Sequence, residues 1–274
     1  MSDWLTRQTF LGKGSDEILA RRKVGIIGLG GGGSHIAQQL AHLGVGNFTL
    51  FDPDHVEFSN LNRLVGATAK DAQRKRAKTN LFSRIIRKVN PIARVTGVQK
   101  QWQEESLLLG SCDVVFGCVD TYVAREQIER ACRRFLIPYI DIGMDVSELP
   151  EGHVVAGQMI LSMPDQPCLR CFGFLNDDLL AQEAARYGAA GGRPQVVWPN
   201  GILASAAVST FVQLTTPWGS AAHPVAYLEY DGNAQTLMPS NRVEYRKNVE
   251  CTHFRTQGDL GDAFWPQGAT DCMR

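Results

Sequence analysis

The chain has 274 residues, 44% of them hydrophobic, enough for a substantial core and consistent with one large domain. Its 28 lysines and arginines balance 28 aspartates and glutamates, so no long-range field favours nucleic acid or an anionic membrane. No apolar run approaches the ~20 residues of a membrane-spanning helix. Seven cysteines, an odd number, and a polar opening at Met1-Ser2-Asp3-Trp4 predict a reduced, cytoplasmic chain with no leader and no disulfide framework.

Val24-Gly25-Ile26-Ile27 is apolar without alternation, as expected of a parallel strand buried on both faces. Gly28, Gly30, Gly31 and Gly33 follow directly. A helix is predicted from Ser34 to Leu43, with Ile36, Ala37, Leu40 and Ala41 on one face and Gly44 at its stop. Strand, glycine turn and helix in that order aim backbone N–H groups and the positive end of a helix dipole at an anion. Glycine is required because a side chain would hold a phosphate away from the backbone.

Phe48–Phe51 reads as the second strand, and Asp52 ends it about 20 residues after the glycines, where an acidic residue accepts hydrogen bonds from ribose hydroxyls. Arg63 and Lys78 lie beyond it, where a triphosphate would extend. The basic stretch from Lys70 to Lys88 reads as the solvated face of a helix that buries Leu81, Phe82, Ile85, Ile86 and Val89. Val114–Val119 predicts another buried strand. Asp120 at its end should face the same crevice as Asp52, and a carboxylate beside a triphosphate is a natural holder of magnesium. The bland alternative makes Arg63 and Lys78 surface charges and Asp120 a helix cap. A nicotinamide dehydrogenase would share the glycines and Asp52; the two cations and Asp120 favour ATP.

Ile137–Ile142 predicts a further strand. Val154–Leu161 and a hairpin over Ala226–Leu237, closed at Asp231-Gly232, would extend the sheet. Ile202–Leu214 reads as a buried helix. The expected fold is α/β: a doubly wound, mostly parallel Rossmann-like sheet extended by antiparallel strands in the C-terminal half. Residues 1–150 would form the nucleotide-binding half of a single domain, and 151–274 the partner-binding half. Cys168-Leu169-Arg170-Cys171 has a spacing suited to two thiolates on one zinc, whereas Cys112, Cys118 and Cys132 read as small buried hydrophobes.

The run Asp52-x-Asp54-x-Val56-x-x-Ser59-Asn60-Leu61-Asn62-Arg63 resembles the signature of ThiF/MoeB-type adenylating enzymes, the superfamily of ubiquitin-activating enzymes. The resemblance extends from about Arg7 to Cys251 and includes the glycines, Lys78 ahead of Asn90-Pro91, Cys118-Val119-Asp120-Thr121 and the Cys168/Cys171 pair. It implies ATP-dependent adenylation of the C-terminal carboxylate of a ubiquitin-like or sulfur-carrier protein ending in glycine. Gly28, Gly30, Gly31, Gly33, Asp52 and Asp54 would bind the nucleotide; Asn60, Arg63 and Lys78 would hold its phosphates. Asp120 would coordinate magnesium and help orient the attacking carboxylate. Arg7 matches an arginine that relatives extend across a dimer to the partner's ATP, which implies a homodimer.

Two departures from the family pattern matter. Relatives supply a second C-x-x-C near the carboxyl end, where this chain has Cys251-Thr252-His253. The expected zinc set is therefore Cys168, Cys171, Cys251 and His253, with Cys272 as an alternative to the histidine. Relatives that transfer the activated carboxylate to their own thiol keep a cysteine between the first zinc cysteines and the apolar helix. Phe172 to Trp198 contains none. The polar stretch Gln182–Pro194, within a crossing loop of about 175–197, would clasp the partner's tail, and the adenylate would pass directly to a separate thiol or persulfide. Cys272 is the alternative thiol. Adenylation of a small peptide or a tRNA-nucleoside carboxylate, and a non-catalytic scaffold role, are the alternatives.

Overall fold

Eight strands, β1 (Lys23–Ile27), β2 (Asn47–Phe51), β3 (Arg94–Val98), β4 (Val114–Gly117), β5 (Tyr139–Leu149), β6 (Gly152–Ser162), β7 (Tyr227–Asp231) and β8 (Thr236–Pro239), make one sheet in a computed structural model. It describes residues 3–185, 194–221, 224–246 and 250–254. The order is β3-β2-β1-β4-β5-β6-β7-β8. The first five strands in that order are parallel, and β6, β7 and β8 add antiparallel. This is the expected doubly wound sheet with its antiparallel extension. It runs unbroken across residue 150, because β5 and β6 pair over eleven residues each.

Helices α1 (Ser15–Arg21), α2 (Gly31–His42), α3 (Ala69–Gln73), α4 (Lys78–Val89), α5 (Tyr122–Arg134), α6 (Asp177–Ala185), α7 (Val197–Thr215) and α8 (Asn241–Arg246) cover the sheet. On one side Ile36 and Leu40 of α2, Leu81, Phe82 and Ile86 of α4, and Leu203 and Phe211 of α7 join one core. On the other, Ile128, Ala131 and Cys132 of α5 meet Tyr139, Leu169 and Phe172. Burial on both faces explains the unbroken apolar runs of β1 and β4. No helix among the described residues is long and apolar enough to cross a membrane.

The sheet order reverses between β1 and β4, and the crevice at their carboxyl ends is held by close backbone approach. Gly28 has φ +87°, and a Cβ there would lie 2.4 Å from the Cys118 carbonyl oxygen. A Cβ on Gly33 would lie 1.9 Å from the Gly28 oxygen. The helix expected from Ser34 therefore begins three residues earlier, since only glycines let its first turn sit on the end of β1.

Two expectations are corrected. The basic stretch 70–88 is not one helix: Asp71 closes a capping box with Thr68, Lys75 adopts φ 44°, and the chain restarts at Lys78. The crossing loop is partly helical. Residues 182–185 form the last turn of α6, where Glu183 accepts hydrogen bonds from the Tyr122 and Val123 N–H groups at 3.0 and 2.9 Å. An α6 carboxylate thus satisfies the first two N–H groups of α5, beside its N-cap Thr121. Residues 186–193 of the loop, and Cys272, lie outside the described residues.

Asp71 anchors the α3–α4 connection through Arg76 (2.8 Å) and Arg84 (3.0 Å). Burial opposes its charge, but Thr68, Arg76 and Arg84 hold the carboxyl down at about 2. A depressed carboxyl stabilises the fold above its unfolded pKa near 3.8, and that contribution is lost as pH falls toward about 2. Arg84 is 42% exposed, so solvent screening reduces the benefit. Asp71→Asn should lower unfolding free energy by about 1 kcal/mol at pH 7. In denaturant titrations that difference should shrink between pH 4 and pH 2.

Candidate active site

A cavity of about 1120 Å³ opens at the carboxyl ends of β1, β2 and β4, beside the middle of β5. Gly28, Gly30, Gly31, Asp52, Asp54, Asn60, Arg63, Lys78 and Asp120 all line it. Gly33 lies one turn below, packed on Gly28. Arg7 sits exposed in a 3-10 segment, Asp3–Leu11, and is not among the lining residues.

Gly30 is the N-cap of α2, and a Cβ there would meet no protein atom within 4 Å. A side chain is excluded neither by the fold nor by strain, yet it would fill the cavity directly above the first N–H groups of the helix. Those groups have no intrahelical acceptor. The cradle thus has the room and the polarity that a phosphate requires.

Asp52 is buried and does more than await a ribose. Its Oδ2 accepts the Leu29 N–H at 2.6 Å and its Oδ1 the Asp54 N–H at 2.8 Å. Burial pushes its carboxyl up, opposed by Lys78 and those two N–H groups. Lys78 opens α4; its Nζ lies 2.8 Å from Asp54 Oδ2 and 3.6 Å from Asp52 Oδ1. The cation assigned to phosphates is thus paired with the acidic Asp52-x-Asp54 segment. Asn60 closes a short turn by accepting the Glu57 N–H at 3.3 Å. Arg63 donates from Nη1 to the Ser59 carbonyl (2.8 Å) and to Asn62 Oδ1 (3.0 Å).

Asp120 is exposed to the cavity. The cap of α5 is Thr121, whose hydroxyl accepts the Ala124 N–H at 3.2 Å, so Asp120 is not a helix cap. A rim carboxylate with oxygen ligands to offer suits a hard divalent cation such as magnesium.

Arg125 was not foreseen. Its Nη2 donates to the Val119 carbonyl at 2.6 Å, its Nη1 to the Ile142 carbonyl at 3.1 Å and to Asp141, and Tyr139 donates to Asp141 at 2.8 Å. Burial works against the guanidinium charge, but Asp141 outweighs it and the pKa is raised. This buried pair ties the segment just after β4, immediately before Asp120, to the first half of β5. Its sequence signal was present: Arg125, Glu129 and Arg133 recur every four residues beside apolar Ile128 and Cys132, on a stripe that must face inward.

The same stripe reaches the cysteines. Glu129 accepts the Leu169 N–H at 3.0 Å, and Arg133 donates to the Gln166 and Pro167 carbonyls at 3.0 and 3.3 Å. Burial pushes Glu129 up to about 7. The loop so held presents Cys168 and Cys171, with Sγ atoms 3.5 Å apart and each 3.4 Å from His253 Nδ1. Ligand atoms of Cys168, Cys171, Cys251 and His253 all lie within 4.8 Å of one another, the set expected from the sequence. Hydrogen bonding from Cys168 lowers the Cys251 thiol from its ordinary range. Three sulfurs and an imidazole suit tetrahedral zinc.

The profile of the ThiF family matches residues 5–253. Over 150 residues the chain is 34% identical to the sulfur carrier protein ThiS adenylyltransferase of Escherichia coli strain K12, covering 53% of this chain and 56% of that one. Over 126 residues it is 35% identical to the molybdopterin-synthase adenylyltransferase of Haemophilus influenzae, covering 45% and 51%. The chain thus spans about half the length of these relatives. Among solved structures, E. coli MccB with ATP superposes with a TM-score of 0.69 at 20% identity, covering 88% of this chain and 72% of that one, a likeness of fold.

Two substitutions separate the fold from the cradle. Gly28→Ala should cost at least about 2 kcal/mol, because it forces a side chain into a positive-φ turn against backbone. Gly30→Ala should melt like the parent yet bind ATP with magnesium roughly tenfold more weakly, by calorimetry, as its methyl enters the phosphate position. The cysteine cluster should bring one zinc per chain through purification, measured by metal analysis. Cys168→Ser should lose the zinc and lower the melting temperature.

Proposed function

We propose, starting from the fact that this chain belongs to the ThiF family, that it adenylates the C-terminal carboxylate of a ubiquitin-like or sulfur-carrier protein with ATP. The observation that carries this reading is the convergence of a helix N-terminal cradle, Arg63, Lys78 and Asp120 on one cavity. A carboxylate and a triphosphate are both anions, so catalysis is chiefly neutralisation and positioning. The N–H groups of α2, with Arg63 and Lys78, hold the phosphates, and Asp52 takes the ribose. Asp120 would hold magnesium, whose charge would offset that of the phosphates. A carboxylate oxygen of the carrier attacks the α-phosphorus as the bond to pyrophosphate breaks, leaving an acyl-adenylate. No general base is needed, since the attacking group is already ionised.

The absence of cysteine between Phe172 and Trp198 supports direct transfer of the adenylate to a separate thiol or persulfide. Arg7 is exposed and does not line its own cavity, which supports a role at the nucleotide of a second copy of the chain and makes the homodimer part of this reading. Zinc at the Cys168 loop is structural here, and the C-terminal half of the chain binds the carrier. A cytoplasmic location belongs to the same reading, supported by use of ATP and by six free cysteines among the described residues.

Pyrophosphate–ATP exchange with magnesium, in the presence of small ubiquitin-like proteins ending in glycine, tests the reaction. Exchange should appear with one such carrier and fall about 100-fold or more in Asp120→Ala. Clear ATP binding without exchange on any carrier would transfer the reaction to a peptide or nucleoside carboxylate. No ATP binding would leave a scaffold.

A further inference from the structure

Two amide side chains connect the charged arms of the cavity. Arg63 Nη1 donates to Asn62 Oδ1 at 3.0 Å. Asn62 Nδ2 donates to the Gln195 carbonyl at 2.8 Å, and Gln195 Nε2 donates to Asp120 Oδ1 at 3.1 Å. Asn62 follows β2 in the chain, Asp120 follows β4, and Gln195 lies just ahead of α7, so the relay crosses the mouth of the cavity between three parts of the fold. Neither amide buries apolar surface: Asn62 is exposed and Gln195 half-buried. Asn62 uses both ends of its amide, accepting from the arginine while donating to backbone, and Gln195 is held at its backbone carbonyl while donating from its side chain.

The geometry points to Asn62 and Gln195 as a positioning relay that sets the Asp120 carboxylate for magnesium and ties its placement to Arg63. This rests on reading the cavity as a magnesium–ATP site. A rim carboxylate turns about two bonds, and capturing a cation requires stopping both. Gln195 engages Oδ1 in advance, and the structure gives Oδ2 no donor among the described residues. Gln195 in turn depends on Asn62, which fixes its backbone. Among the described residues Arg63 is engaged through Nη1, with the Ser59 carbonyl as a second acceptor, so its remaining N–H groups stay available to phosphate. The two amides act in series, so removing either one should undo the effect of both.

Binding of ATP to the full chain, followed by intrinsic fluorescence with Trp102 lining the cavity, tests the relay without any carrier protein. ATP is held fixed while magnesium is titrated, and ATP affinity is measured separately in EDTA. Gln195→Ala and Asn62→Ala should each raise the magnesium midpoint about fivefold and leave ATP affinity in EDTA within about twofold, the size expected of one solvent-facing charge-assisted hydrogen bond. The double variant should be no worse than the weaker single one. Gln195→Asn, too short to reach, should behave like alanine; a merely structural loss would shift both affinities together. With parental binding intact, an unchanged midpoint in Gln195→Ala, or additive losses in the double variant, would overturn the relay alone. An unaltered chain that bound no ATP with magnesium would overturn the nucleotide reading and the relay together.

Discussion

The carboxylate of Asp52 is the interaction on which the cavity depends. It is buried, and a buried anion is tolerated only where donors surround it. Here they come from three directions: the Leu29 N–H in the glycine turn, the Asp54 N–H beyond β2, and, more distantly, the Lys78 ammonium at the start of α4. One side chain therefore sets the turn that carries the cradle, the acidic segment after β2 and the first residue of a helix that lies beyond a separate short one. Removing the charge would leave a buried amide N–H unsatisfied and a buried lysine short of a partner, so the cavity and the fold share their cost.

Helix α5 joins that cavity to the cysteine cluster. Arg125, Glu129 and Arg133 lie on one face, the first tying the segment after β4 to the first half of β5, the others holding the loop of Cys168. Successive members are four residues apart, about one helical turn or ~6 Å of rise. The stripe is rigid because its polar groups are satisfied within the core rather than by solvent. A metal in the cluster would brace the same helix that seats Asp120, without taking part in chemistry there.

Much of this was legible in the sequence, and the reasons differ by feature. The strand, the glycines and Asp52 form one local unit whose spacing is set by backbone geometry, so they could be read directly. The Cys168/Cys171 pair was legible from its spacing, and Cys251 and His253 joined it through the family resemblance. What could not be read was pairing across the chain. Lys78 was recognised as a cation but not as the partner of Asp54, and nothing local links Asn62 to Gln195. The break between α3 and α4 depends on Lys75 accepting a positive φ, which the sequence pattern gives no reason to expect. Arg125 was missed for another reason: charged residues on a helix are ordinarily assigned to its wet face, and here the apolar neighbours carried the contrary signal.

The pairing of Lys78 with Asp54 has a further consequence. An anion entering the cavity does not meet a naked cation; it competes with a carboxylate already held at 2.8 Å. The gain on binding is then a difference between two ion pairs rather than the whole of one. A singly charged guest replaces like with like and gains little, whereas a polyanion brings more charge than it displaces. The lysine thus acts as a threshold, ranking ligands by valence before any contact to sugar or base is made.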